Sequence, residues 1–276
     1  LGDREAVPEH DCAVAHPRLV RPEVNTPASP TFRIGTAGWS IPKSCAAAFG
    51  GEGTHLQRYA RVLPAVEIDT SFYRPHKPAT YARWAASVPP GFRFAVKLPR
   101  EITHARRLVG IEEPLGRFLE EAQALGGALG PLLVQLPPSL SFDAAVAAGF
   151  FGSLRVRFDG LVVCEPRHAS WFTDVADALL SDVQVARVAA DPALVPLAAV
   201  PGGWSGLIYR RLHGSPEMYY SAYGPDALAA VARQMQQAAA PGREDWCIFD
   251  NTALGEAAPN ALDLLHRLST VQEAQG

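Results

Sequence analysis

The stretch Val66-Glu67-Ile68-Asp69-Thr70-Ser71 alternates apolar and polar side chains with the two-residue period of a β-strand. If one face of that strand packs on helices, Val66 and Ile68 take it. Glu67, Asp69 and Ser71 then point into whatever the strand encloses. Carboxylates on an enclosed face cost several kcal/mol each unless they are paired. What surrounds this strand therefore decides both fold and chemistry.

Working outward, similar β-rich runs recur at Phe32–Thr36, Ala65–Asp69, Arg93–Leu98, Leu132–Leu136, Leu161–Glu165, Val183–Ala189, Leu207–Leu212 and Trp246–Asp250. Helical stretches separate them: Thr54–Leu63, Thr80–Ser87, Glu112–Leu125, Phe142–Leu154, Asp174–Leu180, Pro225–Ala239 and Ala258–Leu268. Ser141 and Thr173 are the predicted N-caps of the fourth and fifth, and Pro225 opens the sixth at its first helical position. Pro192, Pro196 and Pro201 leave no good helix after the sixth strand. Alternating β and α units predict a parallel sheet of the α/β class. Eight such units in a 276-residue chain match a (β/α)8 TIM-type barrel, which typically needs about 250 residues. The alternative is an open doubly wound sheet. No G-x-G-x-x-G follows the first strand, and Gly35-Thr36-Ala37-Gly38 has no phosphate-loop lysine. The expectation is one barrel domain over 31–276, preceded by an extended or disordered proline-rich leader over 1–30.

The formal net charge of −3 gives no basic stripe, so nucleic acid is not indicated. No run approaches the ~20 apolar residues of a membrane span, and Asp3, Arg4, Glu5, Glu9, His10 and Asp11 interrupt any signal-peptide core. Cys12, Cys45, Cys164 and Cys247 show no C-x-x-C spacing, and Cys164 and Cys247 sit in apolar runs. Together these predict a cytoplasmic protein with reduced thiols and no membrane partner; the oligomeric state is left open.

In a barrel, functional groups gather at the C-terminal ends of the strands. The phase of each run turns Glu67, Asp69 and Ser71 inward from the second strand, Lys97 from the third and Gln135 from the fourth. It adds Glu165 and Arg167 from the fifth, Asp191 from the sixth, and Tyr209, Arg211 and His213 from the seventh. The eighth offers Asn251 with Phe249, or else Asp250. Nearly every strand thus delivers a polar group to one interior. Such a set reads as a site; the competing reading is an ion-pair network in which Lys97, Arg167 and Arg211 neutralise Glu67, Asp69 and Glu165. Trp39, Phe72, Tyr73, Trp171, Tyr219, Tyr220 and Tyr223 follow strand ends, where aromatic faces beside carboxylates suit sugar-like or base-like rings, or simply pack loops. His104, His168, His213, Glu67, Glu165 and Asp191 could ligate a metal, but no H-E-x-x-H or H-x-H spacing supports it, and three cations in the same interior oppose it. No G-x-S-x-G elbow is present. Lys97 is a Schiff-base candidate if neighbouring arginines lower its pKa, against a protonated Lys97 paired with Glu67 or Glu165.

Several motifs in order, Ile34-Gly35-Thr36-Ala37-Gly38-Trp39, Val66 to Arg74, Phe94-Ala95-Val96-Lys97, Ile102-Thr103-His104, Gln135-Leu136-Pro137-Pro138, Glu165-Pro166-Arg167-His168-Ala169-Ser170-Trp171 and Arg211-Leu212-His213-Gly214, resemble the YecE-like family, domain of unknown function 72. The resemblance covers roughly 31–270 and implies a TIM-type barrel, without a reaction. The family usually has Asn at Asp69, Phe at Pro166 and Asn-Asn at Asp250-Asn251, and an aromatic-rich segment where this chain has Ser40-Ile41-Pro42-Lys43-Ser44-Cys45.

The leading expectation is an enzyme using acid/base chemistry on a small polar substrate, anionic or sugar-like, at the C-terminal mouth of the barrel. Glu67, Lys97, Glu165 and His213 are the catalytic candidates. Trp39, Asp69, Tyr73, His104, Gln135, Arg167, His168, Trp171, Arg211 and Asn251 are the substrate-binding candidates. Two carboxylates on separate strands fit a hydrolase, and an isomerase or lyase equally. No cofactor is required. A metal-dependent phosphodiesterase or nuclease, with a divalent ion, is one alternative, and a non-catalytic ligand-binding or regulatory protein is another.

Overall fold

Short runs of Val, Ile, Leu and Phe between Gly- and Pro-bearing turns form strands because both of their faces can be buried, one against helices and one against other strands. The computed structural model describes residues 31–275, so the expected leader over 1–30 lies outside the described residues. The strands are β1 (Thr31–Thr36), β2 (Ala65–Ile68), β3 (Arg93–Lys97), β4 (Leu129–Gln135), β5 (Val162–Glu165), β6 (Val185–Arg187), β7 (Ala189–Asp191), β8 (Gly202–Gly203), β9 (Leu207–Leu212) and β10 (Glu244–Phe249). The α-helices are α1 (His55–Ala60), α2 (Pro78–Ala86), α3 (Glu112–Gln123), α4 (Ala144–Arg157), α5 (Asp174–Asp182), α6 (Pro225–Ala238) and α7 (Ala257–Gln275).

The result is a mixed α/β single domain of parallel strands. Hydrogen bonding divides those strands into two sheets, β1-β10-β9-β7 and β2-β3-β4-β5-β6-β8, where the sequence led us to expect one closed sheet. All pairings are parallel except that of β8 with β6. The two sheets meet at two places. Ala37 forms an isolated parallel bridge with Glu67, and the Gly38 N–H donates to the Glu67 carbonyl at 2.8 Å. At the other junction the expected strand Val183–Ala189 is split at Val188, whose N–H donates to the Cys164 carbonyl at 2.9 Å. Residues before Val188 pair with β5 and residues after it pair with β9. Gly35 is needed at the first junction: a β-carbon there would lie 2.2 Å from the Ala65 carbonyl oxygen.

Local signals end the helices. Thr54 and Gln57 form a reciprocal capping box on α1. Thr173 caps α5, accepting from the Ala176 N–H, and Pro225 opens α6. The expected Ser141 cap is replaced by Asp143, whose carboxylate accepts from the Ala145 and Val146 N–H groups, so α4 starts two residues beyond the predicted Phe142. After β7 the chain makes a 3₁₀ turn, Pro196–Ala199, and no α-helix. Cys164 and Cys247 are buried free thiols. No helix among the described residues is long and apolar enough to cross a membrane.

The core has two layers. Val66, Ile68, Phe94, Val96, Leu132, Val134, Cys247 and Phe249 pack against the helices. On the opposite strand faces Ala65, Ala95, Leu133, Val163, Tyr209, Trp246 and Ile248 pack on one another. Buried polar residues follow this second set two positions later in the chain: Glu67, Lys97, Glu165 and Arg211. The strand period of two thus places a polar layer directly on an apolar floor.

Candidate functional site

Arg211 is the hub of the polar layer. Its Nη2 and Nε donate to Glu67 Oε1 and Oε2 at 2.7 and 3.2 Å. Its Nη1 donates to Glu165 Oε2 at 2.6 Å, and Nη2 also reaches Asp250 Oδ2 at 3.0 Å. The Tyr209 hydroxyl donates to Glu67 Oε2 at 2.8 Å, and Gln135 Nε2 donates to Glu165 Oε2 at 3.1 Å. Arg167 Nη1 lies 3.3 Å from Glu165 Oε1. Lys97 donates to Asp69 Oδ1 at 2.7 Å and sits 4.4 Å from the centre of the Phe72 ring.

His213 joins a sealed carboxylate, Glu165, to a partly open one, Asp250. Its Nε2 lies 2.8 Å from Glu165 Oε1 and its Nδ1 lies 3.0 Å from Asp250 Oδ2. A ring with a carboxylate against each nitrogen donates at both only as imidazolium. Burial lowers the His213 pKa, but Glu165 and the hydrogen bonds to both carboxylates outweigh it, and the net shift is upward. Glu165 shows the reverse balance: burial raises it, while Arg211, His213 and Arg167 hold it well below the usual carboxylate range. Glu67 is pushed up by burial, with Arg211 opposing and Asp69 and Asp250 adding to the rise. Asp250 is lowered, because Arg211 and His213 outweigh its burial. Two glutamates on one guanidinium are thus driven apart in acidity. Each of Glu67, Asp69, Glu165 and Asp250 thus has at least one basic partner among Lys97, Arg167, Arg211 and His213.

Glu67, Glu165, Arg211 and His213 are sealed from solvent. Part of the surface of Asp69 (29% of its side chain), Arg167 (17%) and Asp250 (13%) stays open. Arg167 and Gln135 line a cavity of about 550 Å³ with His104, Leu194, Met218 and Tyr219. Asp69 lines a second of about 630 Å³ with Trp39, Arg74, His76, Trp84 and Thr252.

Other sequence candidates lie elsewhere. Trp171 is buried, its Nε1 donating to the Leu140 carbonyl at 3.0 Å. His168 accepts from the Ser170 N–H and caps the 3₁₀ turn after β5. Asn251 is buried behind the polar layer, donating to the Ser221 carbonyl and to Asn260 Oδ1. Tyr73 is exposed, edge-on to Phe72, and Trp39 packs edge-on to Trp84 in the second cavity. Asp191 accepts from the Tyr223 hydroxyl and turns away from His213. Asp250, read from the sequence as second to Asn251, is the residue in phase with Trp246 and Ile248. No pattern in the sequence pointed to Met218 or Leu194, which sit in loops without periodicity. Among the described residues no group of three or more His, Cys, Asp or Glu side chains is disposed to hold a metal ion; the carboxylates converge on Arg211.

Residues 33–275 match the family model described as "Protein of unknown function DUF72". The UPF0759 protein YecE of Escherichia coli K12 is 33% identical over 140 residues, 50% of this chain and 49% of that protein, and the YecE of strain O157:H7 matches equally. The chain spans about half the length of the curated relatives it matches. Among solved structures, a DUF72 family protein of Enterococcus faecalis V583 superposes with a TM-score of 0.71 at 24% identity, covering 87% of this chain and 96% of that one. One from Thermotoga maritima MSB8 gives 0.68 at 22%, covering 88% and 99%. At these identities the likeness speaks to the fold.

Proposed function

This chain belongs to the DUF72 family, and from that premise we propose that its polar layer is the active centre of an acid/base enzyme acting on a small, polar, anionic compound. We propose also that the two sheets are arcs of one closed (β/α)8 barrel. The Ala37–Glu67 bridge supports this at one seam, and the continuous strand through Val188, paired with β5 in its first half and β9 in its second, supports it at the other. In such a barrel the C-terminal strand ends form the mouth.

The observation that carries the functional reading is His213 placed between Glu165 and Asp250, 2.8 and 3.0 Å from their oxygens, with Asp250 reaching the surface of the layer. A histidine flanked by two carboxylates, one of them accessible, is built to pass a proton. Arg167, partly open beside the 550 Å³ cavity, supplies a cation at the edge that can take an anionic group of the substrate. Glu67 and Arg211, sealed beneath, position these groups. That division refines the sequence expectation, in which Glu67 acted directly.

Solvent exchange tests the reading. The protein is incubated in D₂O with a panel of small carboxylates and sugar phosphates, and each compound is followed by proton NMR and mass. The wild type is expected to exchange or convert at least one anion, and Arg167→Met and His213→Gln, folded by circular dichroism, are expected to lose that activity. Saturable binding without turnover would make the mouth a receptor site. Activity undiminished in His213→Gln would remove the proton carrier and the proposal with it.

A further inference from the structure

The face of β9 turned away from the polar layer carries a second buried ion pair. Arg210 pairs through Nη1 with Asp245 Oδ1, and both residues are buried. Among the described residues Asp245 is the guanidinium's one hydrogen-bonding partner, and Asp245 Oδ2 has none. A guanidinium offers five donors, and a buried pair offsets its desolvation only when the remaining donors and lone pairs are also met. Burial pushes the Asp245 carboxyl up to about 7, with Arg210 pulling it down. Burial thus opposes the charge on Asp245, and the Arg210 guanidinium keeps N–H groups that no described residue accepts.

Arg210 also lines a cavity of about 370 Å³. One side of it is the Pro196–Ala199 turn, which follows β7 where the other units have an α-helix and contributes Ala199 to the lining. Part of its wall is short, Ala189 and Ala190 from β7 and Ala227 and Ala230 from α6, and Leu212, Val231 and Gln234 also line it. The segment 213–223 divides it from the mouth, with Tyr219 edge-on to His213 on one side and Tyr223 lining this cavity on the other.

We propose that this cavity binds a small monocarboxylate, its carboxylate on the Arg210 guanidinium and its apolar tail against the alanine wall. A planar guanidinium with free N–H groups matches a carboxylate in a two-point fork. The volume lies at the small end of ligand pockets, about 300–1,000 Å³. A dianion is disfavoured, because the site offers one cation and Asp191 also lines it. This site is independent of the activity proposed for the mouth.

Benzoate and its uncharged counterpart benzamide are suitable probes, titrated calorimetrically into the full chain at fixed ionic strength. The wild type is expected to bind benzoate saturably, at least tenfold tighter than benzamide. Ala230→Leu fills the cavity while leaving the Arg210–Asp245 pair in place, and is expected to weaken benzoate at least tenfold. Arg167→Met alters only the mouth and is expected to leave the Ala230-sensitive benzoate site intact, whether or not a second benzoate is lost from the mouth. Equal affinity for benzoate and benzamide, no saturable binding, or binding lost with Arg167 but kept in Ala230→Leu would each overturn the proposal. Inorganic phosphate serves as a further arm: tighter binding of phosphate than of benzoate at this site would overturn the carboxylate assignment.

Discussion

Replacing Arg211 with Met keeps much of the side-chain volume and removes the cation shared by three carboxylates, at 2.6 to 3.2 Å. Glu165 retains His213, Arg167 and Gln135, and Asp250 retains His213. Among the described residues Glu67 keeps one hydrogen-bond partner, the Tyr209 hydroxyl, so the cost concentrates there. Stranding one partner of a buried pair costs about 3–5 kcal/mol, a large part of the roughly 5–15 kcal/mol that holds a typical domain together. The loss has a definite pH dependence. Without Arg211, the Glu67 carboxyl rises further above its unfolded value. A raised carboxyl destabilises above its unfolded pKa and is relieved as pH falls through the folded one. The gap between wild type and variant should therefore narrow on acidification, by up to about 1.4 kcal/mol per pH unit for one proton. Glu165 and Asp250, lowered in the wild type, lose their contribution only as pH falls through those depressed values. Urea unfolding followed by circular dichroism at pH 7.5 and 5.5 measures both quantities. A loss under about 1 kcal/mol at pH 7.5, or a gap that does not shrink at pH 5.5, would refute the account of Arg211 as the counter-ion of a buried acid.

Because the His213 pKa is raised on folding, its contribution is complete below the unfolded value of about 6.5 and disappears as pH rises through the folded value; urea midpoints between pH 6 and 9 should fall for the wild type and stay flatter for His213→Gln. Glu165→Gln removes a carboxylate that the folded protein keeps ionised, and unfolding at pH 7 should show a loss of about 2–4 kcal/mol; an unchanged midpoint would mean the charge is not needed there. Gly35→Ala drives a β-carbon against the Ala65 carbonyl, and a melting curve should reveal a loss of at least about 3 kcal/mol. Thr173→Ala deletes the α5 cap at about 1 kcal/mol, a fall of roughly 2–4 °C in Tm for a domain of this size.

The strands were legible because charged residues stand inside β-branched runs, and the period of two fixes their phase. That phase brought Glu67, Lys97, Glu165, Arg211 and His213 together on paper as it does in the molecule. It lapses where a strand ends. β10 stops at Phe249, so the sequence could not choose between Asp250 and Asn251 until the register of Trp246 and Ile248 was known. The split at Val188 was invisible because pairing partners are a tertiary property; Val-Gln-Val-Ala-Arg-Val-Ala-Ala-Asp looks the same with one neighbour or two. Trp171 misled for a related reason. An aromatic residue after a strand end carries the same local pattern whether it faces a cavity or, as here, donates into a loop and is buried.

The carboxylates that Arg211 neutralises precede it by 144 residues at Glu67 and 46 at Glu165. A ribosome adds about 5–20 residues per second, so Glu67 waits roughly 7–29 seconds for its counter-ion to be made. Until β9 emerges, the ends of β2 and β5 must stay hydrated, because closing over them would bury unpaired charge. The amino-terminal portion of the chain therefore gains little from closing over its apolar floor before β9 is present. Contacts of such long sequence separation join the two sheets through Arg211, and topologies rich in them fold slowly.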